Sequence, residues 1–161
     1  MSLLRLRQFL DSYNIKYEVV SHSVAYTADG LAAITHTPGR EVAKTVIVKI
    51  DDTLAMAVVP ASQHVDLDLL RTATKARTVR LATEDEFKDR FPDCETGAMP
   101  PFGNLYAMSV FADEALSRDK EIAFNAGSHR ELVRLAWKDF ERLVQPEIVN
   151  LVPEPSFAAS S

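Results

Sequence analysis

Lys44 begins an apolar, β-branched run, Ala43-Lys44-Thr45-Val46-Ile47-Val48. An ammonium there either sits on a solvated rim or faces a cleft, where it binds phosphate or carboxylate as a point charge. Lys49, five positions on, falls on the opposite strand face and reads as solvated. A second run, Gly97-Ala98-Met99-Pro100-Pro101-Phe102-Gly103, sets consecutive prolines between glycines. Glycine allows close backbone approach, and proline fixes the loop while removing donors. The few free amides then have set directions and can donate to a developing oxyanion without reorganising. A connector that turns a strand corner is the other reading. A third run, Phe124-Asn125-Ala126-Gly127-Ser128-His129, ends a strand at a turn. Asn125 can orient a substrate amide or hydroxyl, and His129 can act as acid, base or donor. The alternative is a plain turn with Asn and Gly in left-handed conformations. His22 closes an earlier strand and either lines the same cleft or packs as a satisfied histidine. His36 and His64 fall in loop or cap contexts and are given no role.

Several other chemistries lack their residues. No Gly-x-Ser-x-Gly nucleophile elbow is present, and no strand leads into a Gly-rich phosphate loop of Rossmann or Walker type. The single cysteine, Cys94, has no internal disulfide partner and belongs to no metal-ligand spacing. Its neighbours Asp93 and Glu95 disfavour the thiolate that a nucleophile needs. The carboxylates Glu84, Asp85 and Glu86 are explained by a helix start. No metal or organic cofactor is implied.

The elements that must hold these runs follow from periodicity. Ser2 caps a helix with apolar residues at helical spacing to Tyr13, and Asn14 stops it. Strands are expected over 16–21, 45–50, 54–59 and 79–81, with Asp51-Asp52 as a hairpin turn. A short helix is expected from Thr27 to Ile34, before the break at Pro38-Gly39. Asp66 caps a helix over 67–74. Thr83 and Glu86 form a capping box for a helix ending near Phe91-Pro92. The segment 94–104 is irregular. Further strands are expected over 106–110, 121–125 and 131–136, then a helix from about Lys138. Residues 152–161 read as a frayed tail after a domain spanning 1–151. Single strands alternating with short helices and short turns give a mixed α/β single domain with a curved mixed sheet.

The 161 residues suit one domain with its own core, and 47% hydrophobic with 25% charged residues is ordinary globular composition. The formal net charge of -5 argues against a protein that wraps DNA. A local basic mouth remains open to Arg40, Lys44, Lys49, Lys75, Arg77 and Arg80, most of which read as solvated surface charges. There is no signal-peptide core and no apolar run near 18 residues, so a cytoplasmic protein with no membrane span is expected.

Taken in order, six runs resemble the YbaK/aminoacyl-tRNA synthetase-associated family of prolyl-tRNA editing proteins. They are His22-Ser23-x-Ala25-Tyr26-Thr27-Ala28, Ala43 to Lys49, Val59-Pro60-Ala61, Arg80-Leu81-Ala82, Gly97 to Gly103 and Phe124 to Gly127. The resemblance runs from about Leu3 to Pro146. It implies a compact mixed α/β domain with a central barrel-like sheet. It also implies hydrolysis, in trans, of the ester of a mischarged tRNA, here a prolyl tRNA bearing a small amino acid such as alanine or cysteine. A non-catalytic aminoacyl-tRNA or synthetase-binding module of the same fold is the alternative, and a tRNA-independent acyl ester hydrolase is a third reading.

Residue by residue, the resemblance assigns Lys44 to the phosphate region of the terminal adenosine and Thr45, which is Asn in some relatives, to the aminoacyl end. Gly97 matches the glycine of the family's Gly-x-x-x-Pro loop, ending here at Pro101, and its amide is the candidate oxyanion donor. Asn125, Gly127 and His129 border the aminoacyl pocket. His22 and Met99 complete the set, and Tyr17, Val19 and Tyr26 are candidate walls. The attacking group is water, with no side chain as general base. The implied partners are the acceptor end of an aminoacylated tRNA and prolyl-tRNA synthetase, with a monomer as the default state.

Overall fold

The hairpin that carries Lys44 is the spine of the sheet. In the computed structural model, which describes residues 2–21, 42–92, 94–95, 97–128 and 130–153, strand β2 (Val42–Ile50) turns into β3 (Thr53–Pro60). Asp51 and Asp52 have φ of 47° and 71°, the pair of positive values that a two-residue hairpin matched to strand twist requires. The Asp51 carboxylate accepts from the amides of Thr78 (2.9 Å) and Arg77 (3.0 Å), and these bonds lower its pKa. They also tie the turn to β4 (Val79–Leu81).

The other elements are α1 (Ser2–Ser12), β1 (Tyr17–Ser21), α2 (Leu67–Thr74), α3 (Glu84–Phe87), β5 (Ser109–Asp113), β6 (Glu121–Asn125), β7 (Glu131–Ala136), α4 (Trp137–Val144) and β8 (Glu147–Val149). The sheet order is β1-β7-β6-β2-β3-β5-β8, with β4 paired to β2. β2–β6, β3–β5 and β5–β8 are parallel, and the rest antiparallel. The result is a mixed α/β domain with one large mixed sheet. Among the described residues no pairing joins β1 to β8, so the sheet is an open path and the expected barrel-like closure is not formed by these strands. No helix among the described residues is long and apolar enough to cross a membrane.

Alternation along β2 and β3 sends side chains to two cores. Ala43, Ile47, Met56 and Val58 join the main core with Leu6 and Leu10 of α1, Phe102, Phe124 and Phe140. Val48, Ala55, Ala57 and Val59 face the other way, onto Leu70 of α2 and Leu151. Phe102 anchors the main core, its ring centroid 5.5 Å from Phe124 and 5.4 Å from Phe140.

Most of the expected elements form, and their causes are visible. Asn14 stops α1 at φ 56°. The Asp66 carboxylate accepts from the amides of Asp68 (2.9 Å) and Leu69 (3.1 Å), satisfying two orphan donors of α2. Glu86 reaches back to the Thr83 amide at 2.8 Å. The helix it starts is one turn that tightens to a 3-10 turn over Lys88–Arg90.

Two expectations are corrected, and one strand, β8, was not expected. The strand expected over 106–110 is β5, Ser109–Asp113. The apolar alternation of Tyr106 and Met108 instead serves a turn: the amides of both donate to Gly103 O at 2.9 Å, and both side chains enter the main core. β2 begins at Val42, because its first residues pair with β6. β8 carries no strong strand pattern and forms by pairing with β5. The buried Asp113 carboxylate then fixes the following segment through the Leu151 amide at 2.8 Å. The helix expected from Thr27 lies outside the described residues.

Candidate functional site

β2 changes neighbours on one edge. Val42 and Ala43 pair with Ala123 and Phe124 of β6, whereas Val48 to Ile50 pair with β4. Between them, no strand among the described residues pairs with 44–47 on that edge, while β3 continues along the other. Lys44 lies at the start of this gap. Its side chain is half-buried and shares its face with Val46, against the second core. It lines a cavity of about 240 Å³ with Val46, His64, Val65, Leu67 and Leu81. Burial lowers the pKa of its ammonium below the ordinary lysine value, and no carboxylate among the described residues pairs with it. A desolvated cation without a counter-ion is costly unless an anion arrives.

Two of the other basic residues, Lys49 and Arg80, are engaged with a carboxylate of their own. Lys49 was expected to be solvated. The register sets it beside Arg80, and both grip Glu86, at 3.0 and 2.7 Å. The Arg80 guanidinium, then the Thr83 amide and Lys49, hold the Glu86 carboxyl far below the usual carboxylate range. These charges are spent on structure. Arg40 lies outside the described residues.

The second part of the site is made of backbone. β6 ends at Asn125, one residue past the last β2–β6 pair. Val42 and Ala123 share a face, so two residues on Lys44 and Asn125 share it as well. The Asn125 Oδ1 position is buried and has no partner among the described residues. Gly127 follows at φ 93° and is locked to the Pro-rich loop. Its amide donates to Ala98 O at 2.7 Å, its carbonyl accepts from the Glu95 amide at 2.8 Å, and the Ala98 amide closes the set on Glu95 O at 3.0 Å. Gly97 stands exposed at the bend of this loop, at φ 84°, with no acceptor for its N–H among the described residues. Pro100, Pro101 and Met99 are buried beneath it. Met99 also lines a separate cavity of about 360 Å³ with Phe87, Phe91, Pro92 and Cys94.

Thr45 goes the other way from Lys44. It is 8% exposed, on the face of Ala43 and Ile47, and its hydroxyl has no partner among the described residues. Tyr17 hydrogen-bonds Asp11 on α1 at 2.9 Å, and it packs with Val19 against the main core. His22, Tyr26 and His129 lie outside the described residues. Among the described residues, no three His, Cys, Asp or Glu side chains are grouped to hold a metal. Two lining residues were given no site role in the sequence: His64, which showed no signal beyond standing two residues before the Asp66 cap, and Leu81, which read as a strand end within one of the runs that carry the resemblance.

A mixed-sheet domain with a cation cavity on one strand and a glycine-rich backbone loop beside it is an α/β domain equipped to hold an anionic ligand. Residues 22–143 match the aminoacyl-tRNA editing domain, and the chain belongs to that family. It is 31% identical over 151 residues to the multifunctional Ser/Thr-tRNA deacylase ProXp-y of Escherichia coli strain K12, covering 91% of this chain and 90% of the relative. The fold matches a crystal structure of a proposed trans-editing enzyme for prolyl tRNA synthetase, with a TM-score of 0.83 at 20% identity over 95% and 98% of the two chains. A hypothetical protein solved by crystallography matches with a TM-score of 0.81 at 15% identity, over 92% and 99%.

Proposed function

We propose that the protein is a cytoplasmic trans-editing deacylase that hydrolyses the ester of a mischarged tRNA. The observation that carries this reading is the half-buried Lys44 ammonium, without a carboxylate partner among the described residues, on a strand whose neighbour β6 leads into the loop of Gly97, whose N–H has no acceptor among the described residues. An aminoacyl-tRNA end supplies what each half lacks, a phosphodiester anion for Lys44 and an ester carbonyl for the Gly97 N–H.

The reaction then needs little from side chains. Water adds to the ester carbonyl, and the carbonyl oxygen takes negative charge as the Gly97 amide donates to it. The carbon–oxygen bond to the ribose breaks, the ribose hydroxyl recovers a proton, and the free amino acid leaves. Rate comes from a fixed donor and a positioned ester, because preorganised donors need not move as charge develops. Asn125, Gly127 and His129 border the aminoacyl group in this reading, with Met99 and Pro101 supporting the loop and His22 and Thr45 completing the pocket.

The substrate we favour is a prolyl tRNA carrying a small amino acid such as alanine or cysteine, released by its synthetase and corrected afterwards by a monomeric domain. One methylene gives a synthetase only about 10- to 200-fold discrimination, so small wrong amino acids need a second sieve. The name of the relative with 31% identity adds serine and threonine to the candidates. Their hydroxyls suit the buried Asn125 Oδ1 position, which has no partner among the described residues.

The test is deacylation of tRNAs charged with alanine, cysteine, serine, threonine and proline, by wild type and Lys44→Ala. Lys44-dependent release of one or more small amino acids, with proline spared, is expected. No release from any of them would sink the hydrolytic reading.

A further inference from the structure

The far edge of the sheet has a notch. β8 starts at Glu147, which pairs with Phe111, so the first two residues of β5, Ser109 and Val110, extend past it. On their other edge these two pair with Ala55 and Met56 of β3. The bare stretch lines a cavity of about 430 Å³, together with Asn104 and with Gln145 at the end of α4. This cavity shares no lining residue with the Lys44 cavity and none with the run from Gly97 to Gly103.

The backbone in the notch has a donor to spare. The Glu114 amide donates to Val149 O at 2.9 Å. Successive amides of a strand point to opposite edges, so those of Ala112 and Val110 face the same way as that of Glu114. Ala112 meets β8 in register with Ile148. Val110 lies before the start of β8, and its N–H finds no acceptor among the described residues although the residue is only 7% exposed. A buried donor without a partner is costly, and an open sheet edge is a template for one more extended segment. The lining says what kind of segment. Phe111 and Val144 are half-buried and supply apolar surface, and Ser109, Asn104 and Gln145 are exposed and polar. Glu147 is the one charged residue among the described lining, and the C-terminal end of α4, with its negative partial charge, arrives at Gln145. Both favour a cation.

We propose that the notch docks an extended, basic segment of a partner protein, laid end to end with β8 along Ser109 and Val110. A carbonyl of the segment accepts from the Val110 N–H, and a Lys or Arg side chain reaches Glu147. Strand addition takes its affinity from main-chain bonds of this kind and its specificity from the side-chain sites beside them. An anionic partner, nucleic acid included, is repelled by the same carboxylate. β8 stands three strand spacings from β2 in the sheet order, roughly 14 Å at about 4.8 Å each. A docked segment therefore leaves the Lys44 strand free, and the notch serves as a handle by which a partner holds the domain. This role does not depend on the deacylase reading.

The experiment is selection from a phage-displayed library of random short peptides on the whole protein, followed by amide NMR titration with the most enriched peptide. Enriched sequences should carry Lys or Arg, and binding should move the Val110 amide proton downfield. Glu147→Lys should weaken the peptide about tenfold or more, because like charges then face each other. Glu147→Gln, which keeps the shape, should weaken it by a smaller factor, and Ser109→Trp should fill the notch and abolish binding. Circular dichroism checks that each variant is folded. No enriched sequence, enriched sequences without a basic residue, an unmoved Val110 amide, or an affinity that ignores Glu147→Lys would each overturn the proposal. Spermine binding as tightly as the peptide would overturn it too, by making the cavity a site for small cations. A concentration-dependent dimer in sedimentation that Ser109→Trp abolishes would assign the notch to a second copy of the chain instead.

Discussion

The cavity around Lys44 and the loop around Gly97 are built in opposite ways. The cavity is made of side chains on regular elements, with its lysine on the longest strand of the sheet and its far wall at the start of a capped helix. The loop is made of backbone in irregular segments, fixed by three amide–carbonyl bonds and two buried prolines. Side chains on a strand can place a charge and a shaped surface. Backbone in a locked loop can place a dipole that does not move. The difference suggests a division of labour, with recognition of the nucleic acid at the cavity and stabilisation of the reacting carbonyl at the loop.

Substitutions can break that division. The largest loss is expected for Lys44→Ala. Deacylation of charged tRNA should fall in kcat/KM by about 10²- to 10³-fold, the range for removing one essential electrostatic contact, with thermal stability unchanged or raised because a desolvated charge is gone. Gly97→Ala comes next. At φ 84° an L-residue is strained by roughly 1–2 kcal/mol, and the loop must shift the amide to relieve it. Activity should drop about tenfold or more while the melting temperature moves by only a few degrees.

Gly103→Ala sharpens the contrast, because it lies at the other end of the same loop. A Cβ there would meet Met108 O at 2.3 Å and Val110 Cγ2 at 2.6 Å. The expected outcome is a stability loss of about 1–3 kcal/mol from overpacking, read by denaturant titration, with kcat of the folded fraction near wild type. One loop would then hold a glycine needed for chemistry and a glycine needed for packing.

The sequence carried much of this, and the limits have physical causes. Lys44 and the Gly97 loop stood out because a charge at an apolar strand start and Pro-Pro between glycines are unusual at short range. Asp66, Asn14 and the Asp51-Asp52 turn were legible for the same reason, since each acts within four residues. His64 and Leu81 were not, because their place in the cavity depends on β4 and α2 meeting over β2. The pairing of Lys49 with Glu86 was equally hidden, as it depends on the β2–β4 register. β5 was misplaced because Tyr106 and Met108 alternate like a strand while serving a turn that Gly103 organises.

Two smaller effects follow from charge. In the proposed role Lys44 binds phosphate as a cation, and burial lowers its pKa. Its contribution should be full at neutral pH and lost as pH rises through that lowered value, so KM should climb below the ordinary lysine range of about 10.4. A flat KM up to that range would remove Lys44 from phosphate binding. Glu86 shows the opposite sign. Its folded pKa is depressed, so its stabilisation is present above the unfolded value of about 4.3 and declines as pH falls below it. Glu86→Gln should flatten the acid limb of thermal stability below that pH and leave deacylation at neutral pH unchanged. An unaltered acid limb would mean the contacts with Arg80 and Lys49 contribute nothing to folding.

The division of labour is tested most directly by removing the phosphate from the substrate instead of from the protein. Deacylation rates would be compared on 2′(3′)-O-aminoacyl-AMP and on the matching aminoacyl-adenosine, for wild type, Lys44→Ala and Gly97→Ala. The Lys44→Ala defect should vanish on aminoacyl-adenosine, which offers no phosphate, while the Gly97→Ala defect persists on both. A Lys44→Ala defect of equal size on the two substrates would put Lys44 at the ester itself and contradict the account.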